Sequence, residues 1–201
     1  VIVRNHNEVA NALQKDATLV LPDAPALSDD ALQVMSENAA HLVLIEPRAR
    51  TLDLFLPGSA TAGAGSGELV APECTLAEAE RSGDVSLGVL LDPATSDAVG
   101  CYPEGDAWGL LQKAGERTIT VFDGTHILTN ESLASASNAA LALNVIGGTD
   151  RVVWYMPSLG DTDLEASAQT LGDLTPLWVT PAIALLLLSG VVAAVWQGRR
   201  F

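Results

Sequence analysis

Short apolar runs alternate with stretches of helical pattern along the chain, up to about residue 157. Several of these runs are apolar at every position, which is typical of strands buried on both faces of a parallel sheet. The runs that predict strands are residues 1–4, 18–21, 41–45, 85–91, 118–122 and 151–156. Because helical stretches separate them, we predict an α/β fold with a mostly parallel sheet flanked by helices.

The stretches between these runs predict helices with recognisable ends. Ser28 is a good N-cap, and Asp29 and Asp30 follow it in the first turn, where acids interact favourably with the helix dipole. Gly147 and Gly148 are typical of a helix C-terminus. The predicted helices cover residues 8–15, 28–40, 48–56 and 131–146.

The end of the chain carries no charged residue from Leu174 to Gly198. Twenty helical residues rise about 30 Å, the thickness of the hydrocarbon core of a bilayer. We therefore predict one transmembrane helix over residues 176–197, with Trp178 and Trp196 near the two interfaces, where indole rings prefer to lie. The alternative is a buried core helix of a soluble protein, but such helices rarely run this long without a charge.

Two basic residues, Arg199 and Arg200, follow the apolar segment directly. By the positive-inside rule they place residues 198–201 in the cytoplasm and the preceding domain, residues 1–157, outside the cell membrane. Ser189 and Gly190 form a small-residue patch within the span, which allows another helix to approach closely. We therefore expect a single visible pass, with the lipid bilayer and other membrane proteins as partners.

The first 173 residues are strongly acidic. They contain all 25 Asp and Glu residues and all but two of the 10 Lys and Arg residues, a net charge of −17. Such a domain is repelled by nucleic-acid phosphates and by anionic lipid headgroups, which argues against both as partners. We predict an acidic linker over residues 158–175. Asp161, Asp163 and Glu165 within it are weak calcium candidates, but the lack of a glycine turn favours a solvated linker.

The two cysteines of the chain, Cys74 and Cys101, both lie in the predicted external part. An even count in an oxidising compartment favours one disulfide, worth roughly 3–4 kcal/mol in the chain-entropy model. The alternative is two free buried thiols. We predict a disulfide-tied insertion over residues 68–110, with some antiparallel strand, preceded by a small-residue loop over residues 59–67.

One predicted strand end is followed by polar side chains. Asp123 comes directly after the strand over residues 118–122, and His126 and Asn130 come shortly after it. Ligands of open α/β sheets bind beyond the carboxyl ends of the strands, so these three are the candidate ligand-binding residues. The alternative is local, with Asp123 and Asn130 accepting hydrogen bonds from backbone N–H groups of the turn and the helix start.

No motif indicates covalent catalysis, which needs a nucleophile activated by a base that a third group holds. The chain has no G-x-S-x-G elbow, and neither cysteine follows an apolar strand into a glycine-flanked turn. His6, His41 and His126 are dispersed, with no pair four residues apart, which argues against zinc. We therefore expect no catalytic residues, no metal and no cofactor.

Four short segments carry a family resemblance: VFD at 121–123, LTN at 128–130, NAALAL at 138–143 and VVWY at 152–155. Together with the terminal helix and its GRRF ending, they resemble the bacterial domain-of-unknown-function-4350 family. The resemblance implies a membrane anchor and a fold similar to flavodoxin and class I glutamine-amidotransferase domains. It also implies an additional transmembrane helix before Val1, and no established activity.

Two functions from different classes remain open. We predict a non-catalytic, membrane-anchored accessory or interaction subunit of a bacterial envelope or membrane-protein complex, and thus not an enzyme. The alternative is an envelope hydrolase or ligand sensor that uses the strand ends near Asp123 and Asn130. The lack of a recognisable nucleophile–base pair favours the first function.

Overall fold

The computed structural model describes residues 1–14, 16–94, 97–164 and 179–199. These belong to two units, a compact unit Val1–Leu164 and a second unit Glu165–Phe201. The predicted linker from residue 165 onward, Trp178, and Arg200 of the predicted cytoplasmic tail lie outside the described residues.

The compact unit is built on a mixed sheet whose larger part is parallel. Its described residues form a nine-stranded sheet of order β1-β11-β2-β3-β10-β9-β7-β4, in which β8 also pairs with β9. The first five strands in that order run parallel, and the remainder pair antiparallel. Strands β5 and β6 form a separate antiparallel ribbon. The strands are β1 Ile2–Val3, β2 Ala17–Pro22, β3 His41–Ile45, β4 Ala60–Ala64, β5 Leu69–Val70, β6 Val85–Ser86, β7 Val89–Asp92, β8 Val99–Glu104, β9 Ala107–Lys113, β10 Thr118–Phe122 and β11 Arg151–Tyr155.

Polar side chains begin two of the helices, at Ser28 as the sequence predicted and at Asn5, which it did not predict. Ser28 accepts a hydrogen bond from the Ala31 N–H at 3.1 Å, and Asn5 accepts one from the Asn7 N–H at 2.9 Å. Each bond satisfies one N–H group that has no partner within its own helix. The helices of the compact unit are α1 His6–Ala12, α2 Asp29–Ser36, α3 Ala49–Phe55, α4 Ala77–Ser82, α5 Gly124–Ile127 and α6 Asn138–Ile146.

The parallel strands bury their side chains on both faces of the sheet. Along β3, Leu42 and Leu44 belong to one apolar core, whereas Val43 and Ile45 belong to the other. Helices α1, α2 and α3 cover the first core, and α4 and α6 cover the second. The period-2 alternation of side chains makes both faces apolar, which explains the uninterrupted apolar runs in the sequence. The predicted fold class is therefore confirmed.

Two sequence predictions about strands were wrong. The small residues 59–67 do not form a loop throughout, because β4 pairs antiparallel with β7 and shifts register between Thr61 and Gly63. The run 85–91 is not one strand. It divides at Leu87 and Gly88 into β6, which pairs with β5, and β7, which pairs with β4 and β9.

The predicted helix over residues 131–146 is also shorter than expected and begins at Asn138. Side chains and backbone groups close local turns before it: the Thr129 hydroxyl accepts from the Ser132 N–H at 3.2 Å, and the Ser132 carbonyl accepts from the Ser135 N–H at 2.9 Å. The threonine hydroxyl competes in this way with helical hydrogen bonding.

The inserted region between β4 and β10 contains both cysteines. Cys74 and Cys101 lie at disulfide-bonding distance, with their Cα atoms 5.2 Å apart and a sequence separation of 27. Cys101 lies in β8 and is fully buried in the second core, and Cys74 packs against the same core. The cross-link therefore attaches the loop before α4 to the sheet.

The compact unit extends to Leu164, beyond the predicted domain end at residue 157. Asp161 is buried, and its carboxylate accepts hydrogen bonds from the His6 N–H at 2.7 Å, the His6 Nδ1 at 2.6 Å and the Tyr155 hydroxyl at 2.7 Å. Asp163 accepts from the N–H and the hydroxyl of Ser28. Residues 158–164 thus belong to the compact unit and are docked on it through Asp161 and Asp163, while the rest of the segment is exposed.

In the second unit, the described residues form α7, Val179–Gly198. Pro181–Gly198 is long and apolar enough to cross a membrane, and none of it is buried by the protein. Its large apolar side chains that the structure describes, such as Leu186 and Val195, are exposed, unlike those of a core helix. This favours the predicted membrane helix over the alternative of a soluble core helix.

We expect Asp161→Asn to lower the free energy of unfolding by about 1–3 kcal/mol at neutral pH, since it weakens hydrogen bonds to a buried charge. Burial opposes the charge, but the hydrogen bonds from Tyr155 and His6 outweigh it, so the pKa of Asp161 lies below its usual value. The stabilisation is therefore present above the unfolded pKa, about 4, and is lost as pH falls through the folded pKa.

Urea unfolding of the full chain in detergent, at pH 7 and at pH 3, measures this effect. Asp150→Asn, at an exposed carboxylate, is the matched control and should leave both values unchanged. Equal unfolding free energies for Asp161→Asn and the unsubstituted chain at pH 7 would contradict the docked role of the segment.

Candidate functional site

Two adjacent parallel strands in the middle of the sheet direct the chain to opposite faces. Strand β3 pairs with β10 along its whole length, from His41 opposite Thr118 to Ile45 opposite Phe122. After β3 the chain enters α3, which packs in the first core, and after β10 it enters α5 and α6, which pack in the second. A crevice between the carboxyl ends of two such strands is the usual ligand site of an open α/β sheet.

A cavity of about 200 Å³ lies at this crevice. We call it the switch-point cleft. Its polar lining comes from Glu46 and Arg48 after β3, Asp123 after β10 and Thr61 in β4. The rest of its lining is carbon-rich and consists of Pro47, Val89, Leu91, Val121 and Phe122. The cleft is therefore lined by two acidic residues and one arginine together with apolar residues.

Asp123 is the most buried charged residue of the cleft, with 6% of its surface exposed. Its Oδ1 accepts a hydrogen bond from the His126 N–H at 3.0 Å and so begins α5. The local capping role that the sequence allowed is thus present, and the same residue also lines the cleft. The two roles that sequence reasoning set against each other are compatible.

Glu46 lies in an unusual backbone conformation at the end of β3. Its φ is +46°, in the left-handed region, although it is not glycine and precedes a proline. Such a conformation costs about 1–2 kcal/mol and persists only where its surroundings hold it. Here the Glu46 N–H donates to the Phe122 carbonyl at 3.2 Å, which ties the end of β3 to the end of β10.

Arg48 is bound to the end of a third strand. Its Nε lies 2.8 Å from Oδ2 of Asp23, which follows β2, and its backbone N–H donates to Oδ1 of Asp23 at 3.3 Å. The positive charge beside the cleft is therefore already paired with a carboxylate. The Arg48 side chain is 72% exposed, so this ion pair contributes little stability and mainly sets the position of the guanidinium.

A serine and a histidine meet next to Asp123. The His126 Nε2 lies 3.1 Å from the Ser86 hydroxyl, and that hydroxyl also lies within hydrogen-bond distance of the Gly67 carbonyl, at 3.3 Å. Buried Asn138 holds the serine in place, since its Oδ1 accepts from the Ser86 N–H at 3.1 Å. Sequence reasoning did not find this pair.

Gly88 allows this close arrangement. A Cβ at that position would collide with the Asp123 carboxylate and with the His126 ring. The break between β6 and β7 therefore lies where the chain passes directly against the turn after β10, and a side chain there would push the two apart.

The structure brings together two of the three candidate residues. Asp123 and His126 adjoin through the cap of α5, whereas Asn130 lies exposed in the turn that follows and is not among the residues lining the cleft. Within the described residues, no group of three or more His, Cys, Asp or Glu side chains could hold a metal ion. Asp161 and Asp163, the weak calcium candidates, accept hydrogen bonds from protein groups, and Glu165 lies outside the described residues.

A second, larger cavity of about 620 Å³ lies elsewhere on the compact unit. Residues of α2, α3 and the turn between β9 and β10 line it. Arg117 is one of the lining residues. Its guanidinium lies 5.6 Å from the centre of the Phe55 ring and donates to the Ser36 carbonyl at 2.7 Å. Both contacts hold α2 and α3 against the start of β10.

Comparison with known proteins identifies relatives of unknown activity. The model of the family described as "Domain of unknown function (DUF4350)" matches residues 1–146. The uncharacterised membrane protein Rv3691 of Mycobacterium tuberculosis is 35% identical over 204 residues, which cover 100% of this chain and 52% of that protein. The chain thus spans about half the length of this relative. No solved structure matches the chain. With its α/β sheet and apolar terminal helix, the chain belongs to the DUF4350 family.

Proposed function

We propose that this chain is a non-catalytic, membrane-anchored accessory subunit that binds other membrane proteins of a bacterial envelope complex. The observation that carries the proposal is helix α7, whose segment Pro181–Gly198 has no charged residue and is long and apolar enough to cross a membrane. An apolar surface of this length is stable only in lipid or against other helices. The relative of M. tuberculosis, itself described as a membrane protein, supports the membrane association.

The middle of α7 offers a site for close helix contact. A Cβ added to Gly190 would meet no atom of the chain, and the Ser189 hydroxyl donates to the Leu186 carbonyl of its own helix at 2.8 Å. Because the serine hydroxyl is hydrogen-bonded within its own helix, it needs no partner in the membrane. The helix surface at this point therefore stays small and adds no unpaired hydroxyl. Small residues at such positions allow two helix backbones to approach closely in lipid.

Co-purification from native membranes in mild detergent tests the partner. We expect Gly190→Leu to reduce the recovered partner at least about fivefold, because the added side chain prevents close helix contact. Gly198→Leu adds the same bulk where α7 ends and should leave recovery unchanged. If the unsubstituted chain is recovered alone, or if both variants retain the partner equally, the accessory role is wrong.

The orientation of the chain is part of the same proposal. Arg199 and Arg200 at the end of α7 favour a cytoplasmic C-terminus, and the acidic compact unit then faces outward. We expect a membrane-impermeant maleimide to modify Cys74, which is partly exposed, in intact cells after reduction, and not before, because the disulfide protects it. Modification that requires cell lysis would reverse the orientation, and modification without reduction would contradict the disulfide.

The contact between Ser86 and His126 favours a second candidate, an envelope hydrolase. In that reaction the Ser86 hydroxyl would attack an ester carbonyl and pass its proton to His126 Nε2, which would return it to the leaving alcohol; water would then release the acyl group. Against this, the carboxylate of Asp123 binds the backbone N–H of His126, whereas a catalytic triad directs the acid to the ring.

A fluorophosphonate probe separates the two functions, since it reacts with activated serines. We expect no labelling of the full chain, because the His126 ring lacks the support of Asp123. Labelling that is lost in Ser86→Ala but retained in the exposed-serine variant Ser66→Ala would establish the hydrolase and contradict the non-catalytic role.

A further inference from the structure

Asp123 is largely buried, and no positive charge pairs with its carboxylate among the described residues. Only 6% of the residue is exposed. Within the described part of the chain, its one hydrogen bond comes from the His126 N–H to Oδ1. A buried carboxylate without a cation is costly, and in folded proteins such groups are normally paired.

The lining of the switch-point cleft favours a positively charged occupant. Two acidic residues, Asp123 and Glu46, line the cleft, whereas the guanidinium of Arg48 is paired with Asp23. The strong negative charge of the whole domain raises the local concentration of cations in the same direction. The charges of the cleft therefore leave an uncompensated negative site beside Asp123.

The shape and the walls of the cleft define the chemistry of this cation. The volume of about 200 Å³ is about seven times the share of one water molecule in the liquid. Val89, Leu91 and Phe122 present carbon to it, which suits an alkyl group and not a hydrated metal ion. The occupant that fits is a primary ammonium group on a short carbon chain, which brings three N–H donors and an apolar body.

We propose that the switch-point cleft binds a small alkylammonium group, with Asp123 as its counter-ion and Glu46 at its rim. Such a group has two sources, a free small amine or a lysine side chain of a partner protein. Either source makes the domain a binding module, which extends the accessory role without depending on the contacts of α7.

Isothermal titration calorimetry of the full chain in detergent, near neutral pH, tests the binding of an alkylammonium group with n-butylammonium as the probe. We expect binding that weakens as salt is raised, because an ion pair forms, and no binding of 1-butanol, which has the same carbon chain without the charge. N-acetyl-lysine N-methylamide distinguishes the sources. Comparable binding of this compound indicates a lysine of a partner, and its failure beside binding of n-butylammonium indicates a free amine.

Asp123→Asn is the decisive variant, since an amide keeps an acceptor for the His126 N–H but removes the charge. We expect it to weaken n-butylammonium binding at least about tenfold. Asp106→Asn, at an exposed carboxylate in the β8–β9 turn, is the matched control and should bind as the unsubstituted chain does. Val89→Phe fills the cleft while leaving the cap intact and should also abolish binding if Asp123→Asn does not fold.

Binding of 1-butanol as tight as that of n-butylammonium would overturn the proposal. So would no binding of either, or equal binding by Asp123→Asn and the control. Recovery of a partner through α7 is measured in a separate experiment. Failure of amine binding therefore does not contradict the accessory role, and failure of partner recovery does not contradict amine binding in the cleft.

Discussion

The structure depends on one constraint, the parallel pairing of β3 with β10 while the chain leaves these two strands toward opposite faces. The pairing places both strands in the middle of the sheet, so each must bury side chains on both sides. Because the chain leaves β3 and β10 toward opposite faces of the sheet, the helices that follow these strands pack in two different cores. The opposite exits also leave a crevice that neither helix can fill, and the switch-point cleft is that crevice.

Polar groups at the strand ends join the structure to the site. Glu46 reaches the last residue of β10 through its backbone, Arg48 reaches the end of β2 through Asp23, and Asp123 begins the helix after β10. Each group thus stabilises a turn and at the same time lines or borders the cleft. A strained residue such as Glu46 is retained where the surroundings fix it, and strain of this kind is frequent at binding sites.

The sequence predicted those features whose cause is local. The strands β2, β3 and β10 were found because both of their faces are apolar, and Asp123 was found because it follows such a strand directly. Strand β4 was missed because its five residues are small and exposed and pair through the backbone alone. The Ser86–His126 contact joins residues 40 positions apart in different elements, and no spacing rule connects them. The left-handed backbone of Glu46 arises from tertiary packing, so its sequence gives no signal of it.

We propose a membrane-anchored domain that acts by binding, with the largely buried Asp123 at the point where the sheet changes its direction of winding. Its central claim is that the switch-point cleft is a cation site and that Asp123 provides the counter-ion. A crystal structure of the full chain grown with n-butylammonium tests this most directly. The account predicts the ammonium nitrogen about 3 Å from the Asp123 carboxylate, with the alkyl chain against Val89 and Phe122. An empty cleft, with the amine only on exposed carboxylates, would contradict it.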